Sequence, residues 1–161
     1  DRLEDAGFEH YEISNWARLP KSAIRKSQSE ISARRCQHNM VYWTNQNWLG
    51  VGPGAASHVD GHRWKNEPHL GRYIAAAPTP PTVDHETLPQ ERRIGERLML
   101  ALRLRQGVAF DWLNANLDTD DPRWSTFDEL INLGMLERTE THLRLTRKGL
   151  FVADSIIGRL L

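Results

Sequence analysis

The segment His38-Asn39-Met40-Val41-Tyr42-Trp43 brings together residue types from which a ligand site could be built. A neutral imidazole donates its lone pair to haem iron or to another metal, and its second nitrogen needs an acceptor to orient the ring. Asn39 or a backbone carbonyl could be that acceptor, while Tyr42 and Trp43 could supply flat walls against a porphyrin or a nucleobase. Taken alone, H-N-x-x-Y-W reads also as a buried histidine, its hydrogen bonds satisfied, among aromatics that fill a core. Cys36 lies two residues before His38 and is the one cysteine of the chain. A zinc site needs four ligands and an internal disulfide needs a second thiol, so Cys36 is expected to be a semi-buried thiol without a role.

A second candidate follows. Gly50, Gly52 and Gly54 form G-x-G-x-G ahead of Ala55, Ala56 and Ser57. Small residues let a backbone approach a ligand, and exposed N–H groups can hold a carboxylate or phosphate. The third glycine comes one position early for the dinucleotide fingerprint, and a hairpin rather than a helix is expected next. A tight turn imposed by packing explains the same residues.

The elements that must position these groups are legible in part. DRLEDAGF reads as the end of a helix stopped at Gly7, and residues 9–14 as a short strand. Residues 18–35 are basic and serine-rich, which suits a solvated loop or, alternatively, a basic arm for RNA or lipid. Residues 48–52 read as a strand, and residues 57–66 as a hairpin turning on Asp60-Gly61. A short helix over 69–77 is stopped by prolines, which mark a boundary between structural units. Beyond it, apolar residues at 94, 98, 101, 102 and 104 predict an amphipathic helix over 88–107, with Gly107 as its stop. A second helix is expected over 108–117 and a third over 123–133, ending at Gly134. A hairpin then turns Leu136, Leu143 and Leu145 inward, and one apolar-faced helix closes the chain over 147–161.

This order of elements is close to a winged helix and raises nucleic-acid binding. The candidate recognition helix sets Arg123 against Asp128 and Glu129, a net negative face that argues against it. Charge gives no further pull, because 21 Lys and Arg balance 21 Asp and Glu. No apolar run approaches the roughly 20 residues that span a bilayer. The single thiol suits a reducing, cytoplasmic compartment. A chain that opens on a helix tail, without an initiator Met, is expected to be a fragment of a longer α/β protein.

Taken together, YEISNWA (11–17), CQHNMVYW (36–43), WLGVGPGAASH (48–58), Arg63/Asn66, Arg72/Tyr73 and the tail from ERLMLALRLRQGV through LINLGMLE to LRLTRKG resemble the C-terminal half of the HemW-like proteins, relatives of the oxygen-independent coproporphyrinogen III oxidases of the radical S-adenosylmethionine superfamily. The resemblance implies an α+β fold. Its parts would be the terminal strands of a partial (β/α) barrel over 1–66, a linker helix and Pro-rich connection over 67–87, and a mainly helical, winged-helix-like domain over 88–161. It also implies haem contact through His38, as iron ligand, with Asn39, Tyr42 and Trp43 around it. Gly50, Gly52, Gly54 and Ala55 would line the pocket for S-adenosylmethionine or substrate.

The family's [4Fe-4S] cluster and S-adenosylmethionine would belong to the full-length parent alone, since its C-x-x-x-C-x-x-C segment does not occur in this sequence. The implied function is a haem chaperone that hands haem to client haemoproteins, or alternatively a coproporphyrinogen III oxidase. The fragment itself is expected to have no radical activity. A missing N-terminal barrel half is a further expected partner, because its absence leaves apolar surface uncovered.

Overall fold

A computed structural model describes residues 2–19 and 32–161, so most of the basic segment expected over 18–35 lies outside the described residues. The chain folds into two compact units, residues 1–44 together with 94–161, and residues 45–93. Both are α+β, built on small antiparallel sheets.

In the first unit, helix α1 (Arg2–Asp5) stops at Gly7, whose φ of 82° is the left-handed conformation glycine adopts without strain. Strands β1 (Phe8–His10) and β2 (Trp16–Arg18) pair in a short ladder. The strand expected over 9–14 is therefore shorter and begins earlier. Beyond it, Glu12 pairs across the chain with Leu104. Helix α2 spans Gln37–Trp43.

Helix α4 (Gln90–Arg103) contributes Ile94, Leu98, Ala101 and Leu102 to the main core. These positions recur at three- and four-residue intervals and so share one face. The core is completed by α5 (Phe110–Asn116), α6 (Arg123–Asn132) and a three-stranded sheet of β6 (Val108–Ala109), β8 (His142–Leu145) and β7 (Leu136–Arg138). Leu136, Leu143 and Leu145 are buried as their alternation requires.

Two expectations here are corrected. Val108 and Ala109 are an added strand rather than the first turn of the second helix, since they pair with Leu143 and His142. The closing helix is two pieces, α7 (Arg147–Leu150) and α8 (Ala153–Gly158). Thr146 caps α7 by accepting from the Gly149 N–H, and the chain breaks at Phe151 and Val152, where Phe151 is left 85% exposed.

The second unit holds β3 (Ala56–Val59), β4 (His62–Asn66) and β5 (Thr82–Thr87) in sequence order, with α3 (Leu70–Ala75) between the last two strands. Val59 pairs with His62, so Asp60 and Gly61 form the two-residue turn, both at positive φ, as that hairpin demands. His69 caps α3 through its ring, which accepts from the Arg72 N–H at 3.3 Å.

Residues 48–52 are not the expected strand. Only Trp48 pairs, with His58, and Leu49 and Val51 are exposed rather than packed. Strand β5 has no counterpart in the sequence reading. Among the described residues no helix is long and apolar enough to cross a membrane.

Candidate functional site

His38 sits in the first turn of a seven-residue helix, α2. Asn, Val, Tyr and Trp are middling helix formers, so α2 is held by its surroundings more than by propensity. At its N-terminus Cys36 N–H donates to the Tyr11 hydroxyl at 3.2 Å, and Gln37 Nε2 donates to the Ser32 and Arg35 carbonyls. Arg35 meets Glu9 at 2.6 Å and lies 5.7 Å from the centre of the Tyr11 ring. At the C-terminus Thr44 N–H closes on the Met40 carbonyl, and Arg97 donates to the Thr44 carbonyl. Burial lowers the pKa of Arg97 from its ordinary value.

Residues four apart on a helix are neighbours, and His38 and Tyr42 meet edge to face with ring centres 5.0 Å apart. His38 is exposed, and among the described residues no hydrogen bond engages its ring nitrogens. Asn39 is half-buried and does not orient that ring. Cys36 is exposed, which corrects the expected semi-buried thiol.

Trp43 stands apart from this pair. At about 100° per residue, a side chain five positions on is turned some 140° away. Its ring instead lies under the Arg103 guanidinium, 4.7 Å away. Arg103 also reaches the Glu12 carboxylate at 3.2 Å and Asp154 at 3.8 Å. Glu12 is fully buried and further accepts from Ser14 N–H and the Asn15 amide. A charge in such a place needs these partners.

Sequence reasoning passed over Glu12 and Arg103, which are 91 residues apart. Glu12 lies inside the YEISNWA motif, whereas Arg103, in the last turn of an amphipathic helix, looks like an ordinary solvated cation.

The glycine turn belongs to the second unit and is largely satisfied by itself. Gly50 N–H donates to Ser57 Oγ, Gly54 N–H to the Glu67 carbonyl, and Ala55 N–H to the Gly52 carbonyl. Asn66 Nδ2 donates to the carbonyls of Gly50 and Gly52, each at 3.0 Å. A Cβ on Gly50 would stand 2.3 Å from the Ala56 carbonyl oxygen, and Gly52 has φ 106°. Close approach and backbone conformation thus account for these two glycines. Nearby, Glu67 accepts from His69 N–H and from Arg72, and these bonds hold its pKa below the ordinary carboxylate value.

Residues 88–152 match the HemN C-terminal domain family. Heme chaperone HemW of Mycobacterium tuberculosis is 32% identical over 162 residues, covering 99% of this chain and 37% of that protein. Residues 88–152 thus carry the HemN C-terminal domain, and the chain as a whole is similar to the corresponding part of HemW. HemW of Lactococcus lactis is 27% identical, covering all of this chain and 40% of its own length. The mitochondrial radical S-adenosyl methionine domain-containing protein 1 of Danio rerio is 29% identical over 99% of this chain. Among solved structures, coproporphyrinogen III oxidase (HemN) from Escherichia coli, a radical SAM enzyme, shares the fold with TM-score 0.65 at 15% identity, across 99% of this chain and 38% of that one. The chain therefore spans about two fifths of the length of the HemW relatives it matches.

Proposed function

We propose that this chain is the haem-handling C-terminal part of a HemW-like radical S-adenosylmethionine protein, and that His38 offers its imidazole to haem iron. The observation that carries this reading is the state of His38: exposed, edge-on to Tyr42, with ring nitrogens unengaged among the described residues. A histidine packed to fill a core would be buried and hydrogen-bonded at both nitrogens. Haem iron, when bound, would accept the imidazole lone pair, and the Tyr42 ring would flank the macrocycle. Asn39 and Trp43 support the site from within α2, Trp43 by anchoring the helix rather than by touching haem. In the parent protein Gly50, Gly52, Gly54 and Ala55 of the second unit would line the pocket for S-adenosylmethionine or substrate through their small surfaces, since the N–H groups of Gly50, Gly54 and Ala55 are already used within the turn.

In the parent protein, the [4Fe-4S] cluster and S-adenosylmethionine would be held outside the span described here. Residues 1–66 would complete a partial (β/α) barrel and residues 88–161 a winged-helix-like cover, in a cytoplasmic protein that passes haem to client haemoproteins. The test is spectral. Haem titrated into wild type should give a Soret band that His38→Ala weakens and shifts. Identical spectra and affinities for the two proteins would remove His38 as a ligand.

The fold shared with the Escherichia coli enzyme favours a second reading, in which the parent decarboxylates coproporphyrinogen III. Formation of protoporphyrinogen by the full-length parent would select it over the chaperone.

A further inference from the structure

The sheet of the second unit carries a histidine pair that the haem reading does not use. His62 opens β4 directly opposite Thr87, at the end of β5. Its Nδ1 is 3.0 Å from Thr87 Oγ1, and its Nε2 is 3.2 Å from His85 Nδ1. His85 Nε2 in turn is 2.9 Å from Thr82 Oγ1. The side chains thus run in one line, Thr87–His62–His85–Thr82, at the solvent-facing surface of the sheet.

The backbone of β5 is built for this. Arg63 pairs with Glu86 but Lys65 with Val83, so β5 carries one extra residue, and Asp84 takes φ 55°. A bulge of this kind re-aims a side chain, and the one beside Asp84 is His85. Its ring stacks on His62 with centres 5.4 Å apart, and Trp64 stacks on His62 at 5.5 Å.

Each threonine hydroxyl can accept the N–H of the imidazole nitrogen it faces. When both do, the two inner nitrogens meet as lone pairs 3.2 Å apart, an arrangement that a shared cation would satisfy. Two nitrogens each about 2.0–2.1 Å from a tetrahedral zinc ion stand about 3.3–3.4 Å from one another, close to the separation found here. We propose that His62 and His85 form a two-histidine site for a divalent transition-metal ion, with Thr87 and Thr82 fixing the ring tautomers from behind.

Imidazole nitrogen selects zinc, nickel or copper over magnesium and calcium, which prefer oxygen. Among the described residues no third His, Cys, Asp or Glu joins the pair, so water would have to complete the coordination. Asp84 and Glu86 are engaged with Lys65 and Arg63. The site is independent of His38 and stands or falls apart from the haem reading.

The test is a metal titration of the full chain by calorimetry, in a background carrying Cys36→Ser and His38→Ala so that those donors are removed. Zinc and nickel should each bind one ion per chain, and magnesium should not bind. His62→Gln and His85→Gln should each lower zinc affinity more than tenfold, and Thr87→Val should lower it roughly tenfold through loss of ring orientation. Nickel should broaden the imidazole resonances of His62 and His85 before any others. His85 is exposed and His62 half-buried, so matching circular dichroism spectra should show that the variants fold. Zinc binding that is unchanged in both glutamine variants, or absent from the background protein at millimolar metal, would overturn the proposal.

Discussion

The Arg103 guanidinium lies 4.7 Å from the centre of the Trp43 ring, which fastens the helix bearing His38 to the end of α4. The same guanidinium holds Glu12, a carboxylate with no exposure to solvent. Ile13 N–H to the Arg103 carbonyl and Arg105 N–H to the Tyr11 carbonyl stitch the two backbones together on either side. The proposed haem ligand therefore stands on a polar knot assembled from three distant stretches of chain.

Removing one member of that knot leaves the others unpaired. Glu12→Ala should lower the stability of the chain by about 2–3 kcal/mol, because Arg103 and two further donors lose a buried acceptor. Arg103→Lys keeps the charge but loses the planar fork and much of the ring contact, and should fall between wild type and Glu12→Ala. Urea unfolding midpoints check both. Wild-type stability in Glu12→Ala would show that the knot contributes nothing.

The hydrophobic core gives a sharper contrast. Phe127 is 1% exposed and Phe151 is 85% exposed. Phe127→Ala should cost about 3–5 kcal/mol through lost burial and the cavity left behind. Phe151→Ala should stay within about 0.5 kcal/mol of wild type. Thermal melts of the two variants read the difference directly.

Much of this frame was legible in the sequence, for local reasons. Asp60-Gly61 names its own turn, Gly7, Gly107 and Gly134 all sit at positive φ where helices or turns end, and Leu136, Leu143 and Leu145 alternate into the core. Strand β5 was missed because TVDHET is polar and almost wholly exposed, so no apolar period marks it. Helix α2 was hidden because its residues are weak helix formers held by partners as remote as Tyr11 and Arg97. The motif around His38 identified candidate residues. That Tyr42 faces the imidazole while Trp43 faces Arg103 depends on helical phase and on a residue 60 positions away, and no spacing rule conveys it.

The glycine turn separates folding from ligand binding. Gly50→Ala would bring a Cβ to 2.3 Å from backbone, whereas at Gly52 the space is open and only the left-handed φ resists substitution. Gly52→Ala should cost about 1–2 kcal/mol. Gly50→Ala should cost more and should disrupt the bonds from Asn66. Amide exchange across residues 45–93 would register this as faster exchange in Gly50→Ala than in Gly52→Ala, and the reverse order would refute the packing account.

Glu67 supplies a pH dependence of known sign. Its folded pKa is lowered, first by the His69 N–H and then by Arg72, so it stabilises the fold above the ordinary carboxylate pKa. That contribution is lost as pH falls through the lowered folded value. Carbon-detected titration of the Glu67 carboxyl should show the depressed midpoint, and Arg72→Ala should move it upward. Glu67→Gln should flatten the acid limb of the stability profile, and a wild-type limb in that variant would contradict the assignment.

The two aromatic residues of the motif should fail in different ways. Tyr42 touches the His38 ring edge to face, so Tyr42→Ala should weaken haem binding while its effect on stability stays near 1 kcal/mol, about the worth of an aromatic pair. Trp43 packs against Arg103, and its buried indole N–H has no hydrogen-bond partner among the described residues. Trp43→Phe retains a ring for the guanidinium and removes that unpaired donor, so its stability should stay near wild type. Trp43→Ala removes the anchor and should cost about 3 kcal/mol or more. Haem affinity in Trp43→Phe should match wild type, because the His38 face of α2 is undisturbed. A Trp43→Phe protein of full stability that no longer binds haem would place the indole at the porphyrin and reverse the roles assigned to these neighbours.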